Sequence, residues 1–417
     1  MKKEDHKIYI IGAGVAGLIA AKVLEEHGFH PTIIEGTDCV SGRVKTDIVD
    51  GYQLDHGFQV LLTAYPAAQK YLDFEALELQ DFLPGATIFN KGNQKTIGDP
   101  LRAVSLLFPT LFSGIGTISD KFKILKLNAL LKQTTLVEIF AKPEKTTYEY
   151  LVDFGFSDKM ISKFFQPFFS GIFLEPDLET SSRMFEFVYK MFGEGNAALP
   201  KAGIEAIPLQ LKAGLKQTQF LFNTKVESVV EGKIILTDGT ELESNYTIIA
   251  AEASPLVSKL KNQEVEWKSC DTIYFETNNR AIDKPLIGLI SDKEALINNI
   301  FYHNSIATKT TGSKQLLSVT VVKKHGLAPE ALQNQVVKEL KQYCGIDTAK
   351  FIKQYTIAKA LPKLDNLRYE MNPSETKLMP TIFLAGDTQL NSSLNAAMIS
   401  GERAAMGVLE ENFASNK

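Results

Sequence analysis

The chain has 417 residues, 44% of them hydrophobic and 23% charged, with a formal net charge of −4. That length calls for two or three packed units, the composition excludes a disordered chain, and the slight acidity gives no general attraction to nucleic acid. Cys39, Cys270 and Cys344 are odd in number and widely separated, which fits neither a disulfide framework nor a zinc site and agrees with a reducing compartment.

A core strand begins within about ten residues of Met1, so no signal segment is expected and the expected location is cytoplasmic. Ile8-Tyr9-Ile10-Ile11 is a continuous apolar run, as in a parallel strand covered on both faces. Residues 12–17 turn the chain, residues 18–24 continue as a helix of small and apolar residues, Gly28 ends it, and Thr32-Ile33-Ile34-Glu35 is a second strand, which completes a βαβ unit. Residues 103–119 carry no charge, yet Pro109, Gly114 and Gly116 argue against a spanning helix and for an apolar lid or a surface resting on a bilayer. Lys121, Lys123 and Lys126 follow; a packed helix with a solvated lysine face is the equal alternative.

Residues 100–200 read as helical. Phe164, Phe165, Phe168, Phe169, Phe173, Phe185, Phe187 and Phe192 crowd their later part, and for any one ring a core position is favoured over a pocket wall. Residues 220–230 and 233–237 then read as strands with turns at Glu231-Gly232 and Asp238-Gly239, and residues 246–251 as a buried strand returning to the parallel sheet. Strands follow within 271–322, a helix over 329–343, a strand over 351–359, a strand over 381–385 and a closing helix over 394–409.

Gly12-Ala13-Gly14-Val15-Ala16-Gly17 fits the dinucleotide fingerprint in its proper place between strand and helix. Gly12 allows the tight turn, Gly14 the approach of a pyrophosphate, and Gly17 the close seating of the helix, whose N-terminus attracts phosphate. Glu35 ends the second strand, where a carboxylate accepts from ribose hydroxyls and disfavours a 2′-phosphate. FAD and NAD share this much.

Further motifs separate them. Gly42 and Arg43, with Ser41 where a first glycine is usual, precede Asp55-His56-Gly57-Phe58-Gln59; Pro200-Lys201-Ala202-Gly203 lies mid-chain, with Ala202 for the first glycine; Leu384-Ala385-Gly386-Asp387 and residues 395–405 close the chain. Over nearly its whole length the chain resembles the flavin amine oxidase, protoporphyrinogen oxidase and phytoene desaturase superfamily. The resemblance implies an α/β fold with a glutathione-reductase-like FAD-binding Rossmann domain (1–85, 200–265 and 375–417), a mixed-sheet substrate domain (86–99 and 266–374) and a helical, lid-like or membrane-facing subdomain (100–199). It implies non-covalent FAD held by Gly12, Ala13, Gly14, Val15, Ala16, Gly17, Glu35, Gly36, Gly42, Arg43, Gly57, Phe58, Val226, Ala250, Gly386, Asp387, Leu394, Asn395 and Ala396.

In that frame Arg43 reaches a phosphate, Asp387 a ribityl hydroxyl, and the helix starting near Asn395 points its N–H groups at the flavin N1 and C2 carbonyl, where charge accumulates on reduction. Outside that frame Arg43 is a surface cation, Asp387 a turn residue and Asn395 an N-cap. His56 reads as structural, Cys344 lies too early for flavin attachment, and no catalytic residue or metal ligand is assigned. The phenylalanine-rich region resembles the protoporphyrinogen oxidase and carotenoid desaturase branches, which implies hydride removal from a hydrophobic small molecule of polyene or tetrapyrrole type, with peripheral membrane contact as a companion expectation. The alternatives are an amine oxidase, with an aromatic cage and a lysine near the flavin, and a flavin-binding protein without redox turnover. Nucleic acid is not expected as a partner; the oligomeric state and electron acceptor stay open.

Overall fold

A computed structural model describes residues 3–99, 102–106, 113–310 and 312–415. β1 (Ile8–Ile11), α1 (Val15–Glu26) and β2 (Thr32–Ile34) form the βαβ unit. They nucleate a six-stranded sheet in the order Gln219–Leu221, β2, β1, Tyr246–Ile249, Ile382–Leu384, Lys377–Met379. The first five strands run parallel and the last is antiparallel. Ile10, Ile33 and Ile248 are fully buried, which explains the absence of alternation in these strands: both faces are covered.

The covering on one face is α1 against the C-terminal helix Leu394–Ser415. The two approach through small residues; a Cβ on Gly401 would stand 2.2 Å from the Ala16 carbonyl oxygen. Leu18, Ile19, Ala404, Ala405 and Val408 share the resulting core.

A second sheet has seven strands, in the order Lys350–Pro362, Trp267–Thr277, Gln315–Val321, Ile297–Tyr302, Ile287–Ile290, Gly85–Asn90, Asn93–Gly98. It is mixed, because Ile287–Ile290 and Gly85–Asn90 pair in parallel while the other neighbours are antiparallel. The amphipathic helix Pro329–Cys344 covers one face through Leu332, Val336 and Leu340. Helices Ile118–Gln133, Leu136–Ala141, Thr147–Asp153, Gln166–Phe173 and Ser182–Glu194 make up a third region. A small sheet of Leu61–Leu62, Ala197–Pro200 and Leu79–Asp81 ties that region's end to the chain after β2.

Two local expectations differ from the structure. Residues 220–230 are not one strand: Gln219–Leu221 joins the parallel sheet and Val226–Val230 belongs to a meander with Lys233–Leu236 and Glu241–Glu243. Asn223, at φ 52, takes the left-handed turn between them that asparagine tolerates. The uncharged stretch 103–119 falls partly on residues 107–112, outside the described residues. Of its described residues, Leu106, Ser113 and Ile115 are buried, whereas Ile118 is exposed. Among the described residues no helix is long and apolar enough to cross a membrane.

Candidate functional site

Strand register brings the functional loops together. Ile11 lies beside both Ile34 and Ile249, and Ile249 beside Leu384, so four parallel strands end at one level. The residues that follow them, Gly12, Glu35, Ala250 and Gly386, line one cavity of 1970 Å³. A crevice at the carboxyl ends of parallel strands is where such sheets bind ligands.

The first wall is backbone. Gly12, at φ 105, runs so close to the Ala250 carbonyl that a Cβ would come within 3.0 Å, and a Cβ on Gly17 would lie 2.0 Å from Gly12 O. These contacts seat α1 directly on the turn. Gly14 is its N-cap, with no side chain capping the helix, and Gly14, Val15 and Ala16 border the cavity. A helix N-terminus left uncapped at a crevice is a seat for anionic oxygens. Opposite it, a Cβ on Gly42, at φ 60, would stand 3.3 Å from the Gly14 Cα, a tight approach that glycine eases.

Charged groups are braced around that wall. One Glu35 carboxylate oxygen accepts from Ala13 N–H at 2.8 Å, and the other accepts from the Thr37 N–H and hydroxyl at 2.9 Å each. Arg43 donates through Nη2 to Asp387 at 2.5 Å and through Nη1 to the Ala360 carbonyl at 3.2 Å, and its guanidinium lies 5.2 Å from the Trp267 ring centre. Arg43, itself exposed, thus links the glycine-arginine motif to the closing motif. Asp387 is buried, and Gly386, at φ 125, donates its N–H to Ser400 Oγ.

Asp55 anchors the next loop. Its Oδ1 accepts from Thr46 Oγ1 at 2.6 Å and Ile204 N–H at 3.1 Å, which joins the Asp55-His56-Gly57 element to the mid-chain glycine element. Complete burial raises its carboxyl to about 6. His56 bonds Asp47 at 2.9 Å and packs on Tyr355, ring centres 4.3 Å apart.

Of the nineteen positions expected to hold the cofactor, Gly12, Gly14, Val15, Ala16, Glu35, Gly42, Arg43, Gly57, Phe58, Ala250, Gly386, Asp387 and Leu394 border the cavity. Ala13, Gly17, Gly36, Val226, Asn395 and Ala396 do not border it. Val226 packs with the Ile11 and Ile34 cluster and Gly36 faces Lys225. Asn395 is fully buried, and its Oδ1 accepts from Ala67 N–H at 3.0 Å. The cap of the C-terminal helix is Ser393, whose Oγ accepts from Ala396 N–H at 3.0 Å. Ser393 borders the cavity, and a serine just ahead of an apolar helix is the signal that would have found it.

Beyond the groove the cavity runs on between the helices and the second sheet. Phe58, Phe82, Phe164, Phe168, Tyr189 and Phe192 line this arm, with Phe164 and Phe168 stacked at 5.6 Å and Phe168 and Phe192 tilted at 57° with centres 5.4 Å apart. Phe169 and Phe173 also touch it, whereas Phe165, Phe185 and Phe187 are core residues away from it. Lys268 borders the cavity too, donating to the Phe173 carbonyl at 3.0 Å and Thr180 Oγ1 at 2.9 Å. Burial pulls its ammonium below the usual lysine range, against the opposing pull of Glu175. Nothing in the local sequence marks Lys268. Among the described residues no His, Cys, Asp and Glu group is arranged to hold a metal.

The groove fits an extended dinucleotide: an uncapped helix and a glycine approach for two phosphates, carboxylates at both ends for sugar or ribityl hydroxyls, and an aromatic arm beyond. A family model described as flavin containing amine oxidoreductase matches residues 15–409. The chain is 29% identical over 157 residues to an L-amino-acid oxidase of Sistrurus catenatus edwardsii, covering 36% of this chain and 30% of that protein. It is 25% identical over 170 residues to the chloroplastic/mitochondrial protoporphyrinogen oxidase 2 of Arabidopsis thaliana, covering 40% and 32%. The matched part is thus about a third of the length of these curated relatives. A solved oxidoreductase from Methanosarcina mazei superposes with a TM-score of 0.70 at 16% identity, over 97% of this chain and 100% of that one, a likeness of fold.

Proposed function

Because this chain belongs to the flavin containing amine oxidoreductase family, whose members are FAD-dependent oxidoreductases, we propose that it removes a hydride from an apolar small molecule of polyene or tetrapyrrole type. The observation that carries this reading is the aromatic arm, in which Phe58, Phe82, Phe164, Phe168 and Phe192 continue the groove with rings that bury an extended apolar molecule.

FAD supplies the two-electron acceptor when bound. The chain's own residues bind, orient and exclude water. The amides at the start of α1 and the backbone at Gly14 and Gly42 hold the pyrophosphate; Glu35 holds the adenosine ribose and disfavours a 2′-phosphate. Asp387, steadied by Arg43, holds ribityl hydroxyls. The N-terminal end of the C-terminal helix at Leu394, which borders the cavity, would offer its positive dipole end to negative charge on a bound, reduced flavin. The phenylalanine wall keeps water from the reacting carbon and fixes the substrate's approach.

An amine is the second reading. The family's description and the likeness to an L-amino-acid oxidase favour it, together with Lys268, a desolvated amine group at the cavity wall. Anaerobic mixing separates the two. Bleaching of the flavin band near 450 nm by an apolar alkene-type donor and not by amines supports the first reading; bleaching by amines alone replaces it with the second.

A further inference from the structure

The aromatic arm has a polar stretch in its wall. Asn299 and Thr320 border the cavity, and both are almost wholly buried. They stand directly opposite each other on the neighbouring strands Ile297–Tyr302 and Gln315–Val321, and Thr272 of strand Trp267–Thr277 stands opposite Thr320. Residues paired in this way project from the same face of a sheet, so the three side chains form a row. A neighbour of each along its strand, Ile300, Val319 and Ile273, packs instead in the core under helix Pro329–Cys344. Burial of a hydrogen-bonding group is costly unless it has partners, so the row calls for an explanation.

The fold uses only part of the row's capacity. Asn299 Nδ2 donates to Thr320 Oγ1 at 3.2 Å, and Asn299 Oδ1 accepts at 3.0 Å from Asn298 Nδ2, which also donates to the Pro167 carbonyl at 3.0 Å. These bonds tie the sheet to helix Gln166–Phe173. A primary amide has two N–H donors and two lone pairs. One N–H and one lone pair of Asn299 are therefore left over, as is the Thr320 O–H, because neither side chain has a further hydrogen-bond partner among the described residues. Thr272 is fully buried and its hydroxyl has no partner. Gly171 keeps the approach open: it borders the cavity, and a Cβ there would stand 2.8 Å from Asn298 Nδ2 and 3.0 Å from Asn299 Oδ1. Glycine inside a helix is less stable than alanine, so the position favours clearance over helix stability. No charged side chain bonds to the pair; Lys323 turns to the Lys293 and Ala295 carbonyls, and Lys268 to the Phe173 carbonyl and Thr180.

We propose that Asn299 and Thr320 form a subsite for a neutral oxygen, a carbonyl or a hydroxyl, carried by the apolar substrate. The Thr320 O–H and the remaining Asn299 N–H donate to that oxygen, and a hydroxyl returns its own proton to the second lone pair of Asn299 Oδ1. A carboxylate or an ammonium would enter this place without a counter-charge, which burial penalises. The substrate is thereby an oxygen-bearing molecule of polyene type rather than a pure hydrocarbon. A buried site that hydrogen-bonds one oxygen rejects the analogue lacking it, because its own groups are then left unpaired. The inference rests on the apolar-substrate reading and narrows it.

Calorimetric titration of the flavin-loaded full chain tests the subsite with two probes, the polyene ketone β-ionone and the hydrocarbon that has a methylene in place of its carbonyl. The ketone binds at least about tenfold more tightly. Asn299→Leu and Thr320→Val each remove most of that preference, Gly171→Ala reduces it, and Thr320→Ser retains it. Flavin absorbance per chain stays at the parent's level in all four variants, which separates loss of the subsite from loss of the fold. Equal affinity for the two probes, or a preference that survives both Asn299→Leu and Thr320→Val, overturns the subsite and leaves the apolar-substrate reading in place. Failure of either probe to bind also overturns the subsite, and if apolar alkene-type donors then leave the flavin band unbleached, the reading beneath it falls as well.

Discussion

The parallel sheet and the aromatic helical region meet at one cavity yet carry their chemistry in opposite ways. At the sheet, the groups that face the cavity are largely backbone, and the side chains chosen there are small so that amides can be approached. In the helical region they are large rings, and the cavity they line is completed by rings distant in the chain, such as Phe58 and Phe82, which pack on Phe301. A glycine at a strand end keeps its meaning out of context, because few other roles require it. A phenylalanine does not, since core and pocket wall call for the same residue.

The strongest way to break this comparison is to fill the backbone groove. Gly14→Glu or Gly386→Glu should abolish flavin retention, through steric and charge conflict with the pyrophosphate, while the aromatic region stays folded. Flavin absorbance per purified chain measures it, and a fully loaded yellow variant would contradict the groove. Arg43→Ala should be smaller: it leaves buried Asp387 without its half-exposed cation, costs about 1 kcal/mol of stability and raises the FAD dissociation constant about tenfold or more. Denaturant unfolding and FAD titration read the two effects separately.

Asp55 sharpens the picture through pH. Its folded-state carboxyl titrates at about 6 against an ordinary 3.8, so the folded chain holds that proton longer than the unfolded one, and the Asp55 contribution to stability falls as pH rises from about 4 to 6. His303 works the other way. Burial lowers it from 6.5 to about 4, so the unfolded chain binds the proton first and stability falls as pH drops through the same range. Asp55→Asn should therefore stabilise the protein at neutral pH by on the order of 2 kcal/mol and leave a melting temperature that climbs with pH between about 4 and 6.5. A variant whose slope matches the parent's would refute this assignment. The smallest expected effect on the flavin is that of Phe168→Ala, which costs on the order of 1 to 2 kcal/mol of stability because the ring is only half-buried; it should raise KM for an apolar donor with little change in flavin content, which steady-state kinetics would reveal.

Legibility in the sequence follows the same division. The fingerprint at Gly12, the acid at Glu35 and the closing Gly386-Asp387 were readable because each answers a local demand of turn, helix start or strand end. The Arg43–Asp387 link, the Asp55 tie to Ile204 and the lysine at 268 were not, since each depends on strands from distant segments arriving in register. The N-cap alternative for Asn395 failed for a different reason: asparagine and serine cap helices equally well, and the cap falls to Ser393 while Asn395 becomes a buried brace for Ala67.

The central claim is that one FAD lies in the groove between the Gly12 turn and the Leu394 helix end. The chain has a single tryptophan, Trp267, which borders that cavity beside Arg43. Adding FAD to protein stripped of flavin should quench tryptophan emission to saturation at one equivalent. Full flavin uptake with Trp267 emission unchanged would contradict the account.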